Sequence, residues 1–439
     1  MGETPATKST TPPGPKGLRP HAERPLLLGE LHARPFLPLS LPQRIYHYAF
    51  ITSEEEARAD RANISLLALN RGLPQPAADA KFCRIEIGTW ELRWEQHTEF
   101  TTYTWVTGLD AATPFTKSDP LATSEIAFVA PGALVSAVHI SLVKSEVSAA
   151  PLDHRFDPQA MCVVDVNHTA ARLTTDFLAD ASGYTRLLIE SRSLTPIAAG
   201  RLVQRVLEIE TYRTLALLGL PEARRTALEL SAMERDLSDV TSTIAASPDA
   251  SSHQKQLRRL TSLAVSLEAS QLRTAHRFAA SRAYFELTSN RLEVIGERPV
   301  EENISIAAFF RRRLEPAIAT CNATEARQAR LAQRLERTTD LLRTGIQFEL
   351  EHQNRDLLDS MNKRADLQLR LQQTVEGLSV AAISYYVVGL ITYVAKGVKD
   401  LGLLPKPLSP ELVTAALVPV VVLVIWWSMR KLHHKFMHE

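Results

Sequence analysis

The sequence predicts an α+β fold: a mixed α/β N-terminal domain, then long antiparallel helices with a stalk helix, then two C-terminal transmembrane helices. Three observations carry that reading. Segments rich in β-branched and aromatic residues recur between Arg44 and Glu190, apolar residues fall at i, i+3, i+4 and i+7 beyond Thr195, and two long uncharged runs lie near the C-terminus. At 439 residues the chain can bury more than one core.

Residues 1–25 are rich in Pro, Thr and Lys and hold no apolar run that could form a signal-peptide core, so they are read as a disordered tail. An α/β soluble domain is predicted over residues 26–194. Pro35, Pro38 and Pro42 punctuate a loop ahead of a strand at Arg44 to Ile51. Ser53, three residues before Glu56, is a capping signal for a helix over Glu54 to Leu69. Strands follow at Cys83 to Ile87, Trp90 to His97, Glu99 to Val106, Ala133 to Val143, Met161 to Asn167, Ala171 to Phe177 and Tyr184 to Glu190.

A long-helix bundle and stalk are predicted over residues 195–377. Pro196 suits a first helical turn, and Gly219 with Pro221 ends that helix. Helical patterns continue from Pro221 to about Ala246, from Ser252 to Ile295 and from Ile304 to Met361, broken around Pro248 and Pro299. No proline interrupts the last one, so it is expected to run into the membrane. Its apolar seam through Leu350, Leu357, Met361, Leu371, Val375 and Leu378, interrupted by Asn354 and Gln368, predicts packing in a bundle or a homo-oligomer.

Leu378 to Ala395 and Leu412 to Met429 each hold eighteen residues without a charge, close to the ~20 needed to cross a bilayer. They are predicted as transmembrane helix 1 (378–395) and helix 2 (412–429), joined by a short extracytoplasmic loop (396–411) and followed by a basic tail (430–439). Trp426 and Trp427 with Arg430, Lys431 and Lys435 read as interface anchors contacting membrane lipids. Six basic residues flank the two spans on the body side, against Lys396, Lys399 and Lys406 in the loop. That asymmetry predicts a multi-pass protein of the cell membrane with both termini cytoplasmic. Neither span carries an ionisable Asp, Glu, Lys, Arg or His, and Ser384, Tyr386, Gly389 and Tyr393 are the candidates to line a pore if several first spans assemble.

Phosphate-loop, dinucleotide and nucleophile-elbow motifs are absent, so neither an enzyme nor a cofactor is expected. Charged residues make up 23% yet sum to +1, which argues against a nucleic-acid partner. Cys83, Cys162 and Cys321 are too dispersed for a disulfide framework or a structural zinc site. His21, Glu30, His32, His47, Glu91 and His97 could converge as metal ligands or acid/base groups, although their spacing matches no metal pattern. The density of Trp90, Trp94, Tyr103 and Trp105 reads mainly as sheet core.

Four segments carry a resemblance: GELHARPFLPLSLPQRIYHYAF, LRWEQHTEFTTYTW, LEIETYRTLALLGLP and TVEGLSVAAISYYVVGLITY. They closely resemble a bacterial family of predicted membrane-anchored proteins, described only as of unknown function. Its motif residues here are His32, Arg34 and Pro35 in the first segment and Arg93, Trp94, Glu95, His97 and Glu99 in the second. In architecture the chain is similar to CorA-type divalent-cation channels, homopentamers whose first span lines the pore. A Gly-Met-Asn motif follows that span in the channels, whereas this chain reads VAKGVKDLG after Tyr393. The resemblance implies an oligomeric inner-membrane ion transporter of altered selectivity, a metal cation being the transported species. The alternative is a non-transporting anchored scaffold or sensor that binds a protein partner through its soluble domain.

Overall fold

Alternating apolar residues in the N-terminal half form eight strands that, with a two-residue strand from further along the chain, make a nine-stranded sheet among the described residues. The computed structural model describes residues 18, 21–24, 27–28, 36–77, 79–109, 114–115, 129–145, 155–246, 250–400 and 410–436, with the backbone alone at 250–251, 395, 398–400, 410–414 and 429–436. Glu30, His32, Arg34, Pro35 and much of the 396–411 loop lie outside the described residues, as do the side chains of Arg430, Lys431 and Lys435. The chain divides into two compact units, Met1–Ala246 with Arg258–Thr338, and Ser247–Leu257 with Thr339–Glu439.

In the first unit the strands are β1 (Gln43–Ile51), β2 (Phe82–Ile87), β3 (Trp90–Gln96), β4 (Phe100–Gly108), β5 (Ala133–Lys144), β6 (Cys162–Val166), β7 (Ala171–Ala179), β8 (Thr185–Ser191) and β9 (Arg298–Pro299). Their order is β2-β3-β4-β1-β5-β8-β7-β6-β9. Neighbours pair antiparallel except β5 with β8, which are parallel.

Each face has its own core. Helix α1 (Glu54–Asn70) begins with the expected capping box, Ser53 Oγ accepting from Glu56 N and the Glu56 carboxylate accepting from Ser53 N. Its Ile64 and Ala68 pack on Tyr46, Leu92, Trp94, Tyr103 and Trp105. Asp60 of α1 is buried and accepts from Trp94 Nε1 at 3.0 Å and from the Tyr103 hydroxyl. The aromatic strand residues are therefore core, and their polar tips fix α1.

The other face is covered by α2 (Pro196–Leu217), with Thr195 capping Ala198 N and Pro196 in the first turn. Ala199, Leu202, Val203 and Val206 pack on Ile45, Val138, Ile140, Leu142, Leu187 and Ile189. Gly200 permits a close crossing: a Cβ there would lie 2.0 Å from Leu37 O. Leu39 N donates to Pro196 O at 2.9 Å, which holds this segment along α2.

The helices α3 (Gly219–Ala246), α4 (Ala250–Ile295), α5 (Ile306–Arg313) and α6 (Glu315–Asp400) follow. Within the first unit α4 and α6 run antiparallel: Arg282 pairs with Glu325 at 2.6 Å, and Gln328 Nε2 donates to Ser270 Oγ at 3.2 Å. Arg327 of α6 pairs with Glu234 of α3 at 2.5 Å. A single helix from Ile304 to Met361 does not form. Ile304 bridges to Cys162, Ser305 caps α5, and the Glu297 carboxylate accepts from Ile306 N and Ala307 N at 2.9 and 2.7 Å. Pro316 lacks an amide proton and stands in the first turn of α6, where none is needed.

In the second unit, the stretch of α6 beyond Thr339 continues without a break through the first apolar run, and α7 (Pro410–Phe436) contains the second. Among the described residues, α6 carries the one stretch long and apolar enough to cross a membrane by length and composition, and little of it is buried. The second run appears as a shorter apolar stretch, Ala415–Ser428. The ends of that expected span, Leu412 and Met429, have no described side chains.

Candidate functional site

Strand alternation puts Arg93 and Glu95 on the face opposite Leu92 and Trp94, beside Phe100, Thr102, Thr104 and Val106 of β4 and His47 of β1. Helix α2 closes over them with Val203, Gln204, Leu207, Glu208, Thr211 and Tyr212. A cavity of about 300 Å³ remains, completed by Phe36, Leu39, His97 and Arg291.

His47 sits at its floor and is buried. Its Nδ1 is 2.8 Å from Thr104 Oγ1 and its Nε2 is 3.0 Å from Thr211 Oγ1, so the ring ties the sheet to α2. Burial pushes its pKa down to about 4, with His97 adding to the fall and Glu95 opposing it. The ring is neutral at physiological pH. It needs one hydroxyl as donor and one as acceptor, which two threonines can supply in either tautomer.

The walls are charged in balance. Arg93 Nε donates to Glu91 at 2.5 Å, His97 Nε2 lies 3.6 Å from Glu95, and Arg291 pairs with Glu208, which also accepts from Gln204 at 3.1 Å. His97 stacks on Phe100 with ring centroids 4.1 Å apart, and Phe100 meets Tyr212 and Tyr284 edge-on. Glu99 is not part of the cavity lining and accepts from both ends of the Arg277 guanidinium at 3.3 and 3.2 Å.

Three of the segments singled out for their resemblance thus meet at one place: His47 comes from the first, Arg93, Glu95, His97, Phe100, Thr102 and Thr104 from the second, and Leu207, Glu208, Thr211 and Tyr212 from the third. The family model described as "Protein of unknown function (DUF3422)" matches residues 19–436. The chain belongs to this family. No curated protein and no solved structure matches it.

In this DUF3422 chain the expected residues divide into groups. Arg93, Glu95 and His97 line the cavity, whereas Trp94 packs in the core on the other face and Glu99 is engaged by Arg277. His21 is exposed and accepts from Glu23 N at 3.2 Å. Among the described residues no three His, Cys, Asp or Glu side chains come together in a way that could hold a metal ion. All three cysteines are free and buried.

In the second unit, taken by itself, Tyr386 and Tyr393 are exposed, Ser384 is buried, and nothing lies within 4 Å of a Cβ added at Gly389. Trp426 and Trp427 are exposed on α7. Sequence reasoning passed over Thr104, Glu208, Thr211 and Arg291. Glu208 and Thr211 stand three apart, on one face of the amphipathic helix that LEIETYRTLALLGL belongs to, and that spacing was the available signal.

Proposed function

We propose that this chain is a membrane-anchored sensor of the bacterial inner membrane, multi-pass with both termini cytoplasmic, whose sheet unit takes up a small polar ligand in the His47–His97 cavity. The observation that carries this is the lining. Two guanidinium groups, Arg93 and Arg291, and two carboxylates, Glu95 and Glu208, line it together with the apolar Leu39, Val106, Val203 and Leu207. Such a lining suits a ligand that bears both signs of charge. The side chains stand on strands and on a capped helix, which favours selective binding over adaptive binding. The anchor rests on the two apolar runs and on the basic residues that flank them. Signal would pass to a protein partner through the soluble unit, with a homo-oligomer assembled along the α6 seam.

A second reading, an oligomeric ion transporter of CorA-like organisation that moves a metal cation, draws on the hydroxyl-bearing, exposed side of the first apolar run at Tyr386 and Tyr393 beside the open Gly389. The two readings separate in one experiment: the oligomeric mass of the detergent-purified chain, followed by ion flux in proteoliposomes. The sensor shows no flux, and free amino acids tested as zwitterionic probes shift its melting midpoint unless Arg93→Gln or Glu95→Gln is present. A symmetric oligomer whose cation flux is blocked by Gly389→Trp would replace the sensor with the transporter.

A further inference from the structure

The sheet face away from α2 carries a polar patch on β5, β8 and β7 that the cavity does not use. His139 of β5 pairs in register with Arg186 of β8, and Thr174 of β7 pairs with Leu188, two residues further along β8. His139 is 6% exposed and Thr174 is fully buried. Among the described residues, His139 Nε2, Thr174 Oγ1 and Arg186 Nε make no hydrogen bond. Buried polar atoms left in that state are rare in folded proteins, and three on adjacent strands of one face call for a common cause.

The aromatic surroundings join them. Phe115 lies edge-on to His139 at 5.2 Å, and the Arg186 guanidinium carbon sits 5.9 Å from the Phe115 ring and 5.8 Å from the Phe156 ring. Nearby carboxylates are already engaged. Asp176 accepts from Asp157 N and Leu178 N at 3.0 and 3.1 Å. Asp180 accepts from Ser182 N and Tyr184 N at 2.8 and 3.0 Å through Oδ1, and its Oδ2 forms a long ion pair with Arg186 Nε at 4.0 Å, beyond hydrogen-bond distance. Arg44, in register with Ser141 on the same face, adds a second buried guanidinium.

Arg186 Nε can only donate, a threonine hydroxyl can donate, and the imidazole donates from Nε2 in one tautomer. We propose that His139, Thr174 and Arg186 form a binding site for a small oxyanion, a phosphate or carboxylate group that only accepts hydrogen bonds. A quarter of the Arg186 side chain remains exposed, which gives the anion a way in.

The test uses the full-length protein in detergent, with the melting midpoint followed against potassium phosphate and, separately, potassium succinate, at ionic strength held constant with potassium chloride. One of the two anions raises the midpoint saturably, by about 5 °C at a hundredfold excess over its Kd, and which one does so identifies the oxyanion. Arg186→Gln abolishes the rise, while Arg225→Gln, a charge loss on exposed α3 surface, keeps it. Should Arg186→Gln not fold, Thr174→Val serves instead and weakens the apparent affinity at least threefold. The proposal is overturned by a wild-type midpoint that responds to neither anion, or by a response undiminished in the folded Arg186→Gln or Thr174→Val protein.

Discussion

His47 and His139 occupy neighbouring strands and opposite faces of one sheet, and they are buried to nearly the same extent, 5% and 6% exposed. Their surroundings differ. Both nitrogens of His47 meet threonine hydroxyls, one on β4 and one on α2, whereas His139 stacks on Tyr46 at 4.2 Å and its Nε2 has no hydrogen-bond partner among the described residues. Burial is the main cause that lowers the pKa of each, so protonation behaviour does not distinguish them. Hydrogen-bond satisfaction does: one histidine is a tie between layers, and the other is a donor held in reserve for a ligand.

The largest expected effect tests what the two share. His47 is held down at about 4 by burial and His97 against Glu95, and His139 at about 3 by burial, Arg44 and Arg186 against Asp180, from an ordinary value of 6.5. A group depressed in the folded state binds its proton more tightly when unfolded. Stability is therefore complete above about pH 6.5 and declines as pH falls toward the folded values. Between pH 7.5 and 5 each histidine removes about 2 kcal/mol, about 4 kcal/mol together. Urea unfolding at the two pH values should show this loss, and either histidine replaced by phenylalanine should halve it. An unchanged pH slope in both variants would show that neither ring is buried neutral.

Next in size is the contrast at constant pH 7.5. His47→Phe leaves the Thr104 and Thr211 hydroxyls facing a ring that cannot bond them, at a cost of about 3 kcal/mol. His139→Phe keeps the stack on Tyr46 and removes an unpartnered nitrogen, so stability should stay within about 1 kcal/mol of wild type. Equal losses in the two variants would erase the distinction between the faces.

The same two faces mark how far the sequence could be read. Local signals were reliable: β1 begins one residue before the expected Arg44, the Ser53–Glu56 box caps α1, and Pro196 opens α2. The reading of Trp94, Tyr103 and Trp105 as sheet core also held. What the sequence withheld is long-range. Thr211 reaches His47 across 164 residues, and His139 meets Arg186 only because β5 and β8 pair parallel, a topology that no short-range pattern encodes. The two-residue strand β9 and the break between α5 and α6 were hidden for a similar reason. The strand depends on edge pairing to β6, and α5 starts as a separate helix under a Glu297 cap supplied from outside it; the Pro316 that opens α6 is the one local mark of that break.

The smallest effect is also the one whose sign separates the faces. Thr104 and Thr174 are strand threonines with opposite circumstances. Thr104 Oγ1 is 2.8 Å from His47 Nδ1, while Thr174 Oγ1 is fully buried with no hydrogen-bond partner among the described residues. Valine has nearly the same shape and replaces only the hydroxyl. At Thr104 it removes a hydrogen bond and strands a buried imidazole nitrogen, which should destabilise the fold by roughly 1–2 kcal/mol. At Thr174 it removes a desolvated hydroxyl that gains nothing in the anion-free protein, which should stabilise by about 0.5–1 kcal/mol. Unfolding in chloride buffer gives both numbers from the same apparatus. Addition of the active oxyanion should then narrow or reverse the Thr174→Val advantage, because only the wild type recovers a third donor to the ligand, whereas the Thr104→Val deficit should not change. A Thr174→Val protein less stable than wild type in chloride would mean that the hydroxyl is already satisfied, and the second face would then be as closed as the first.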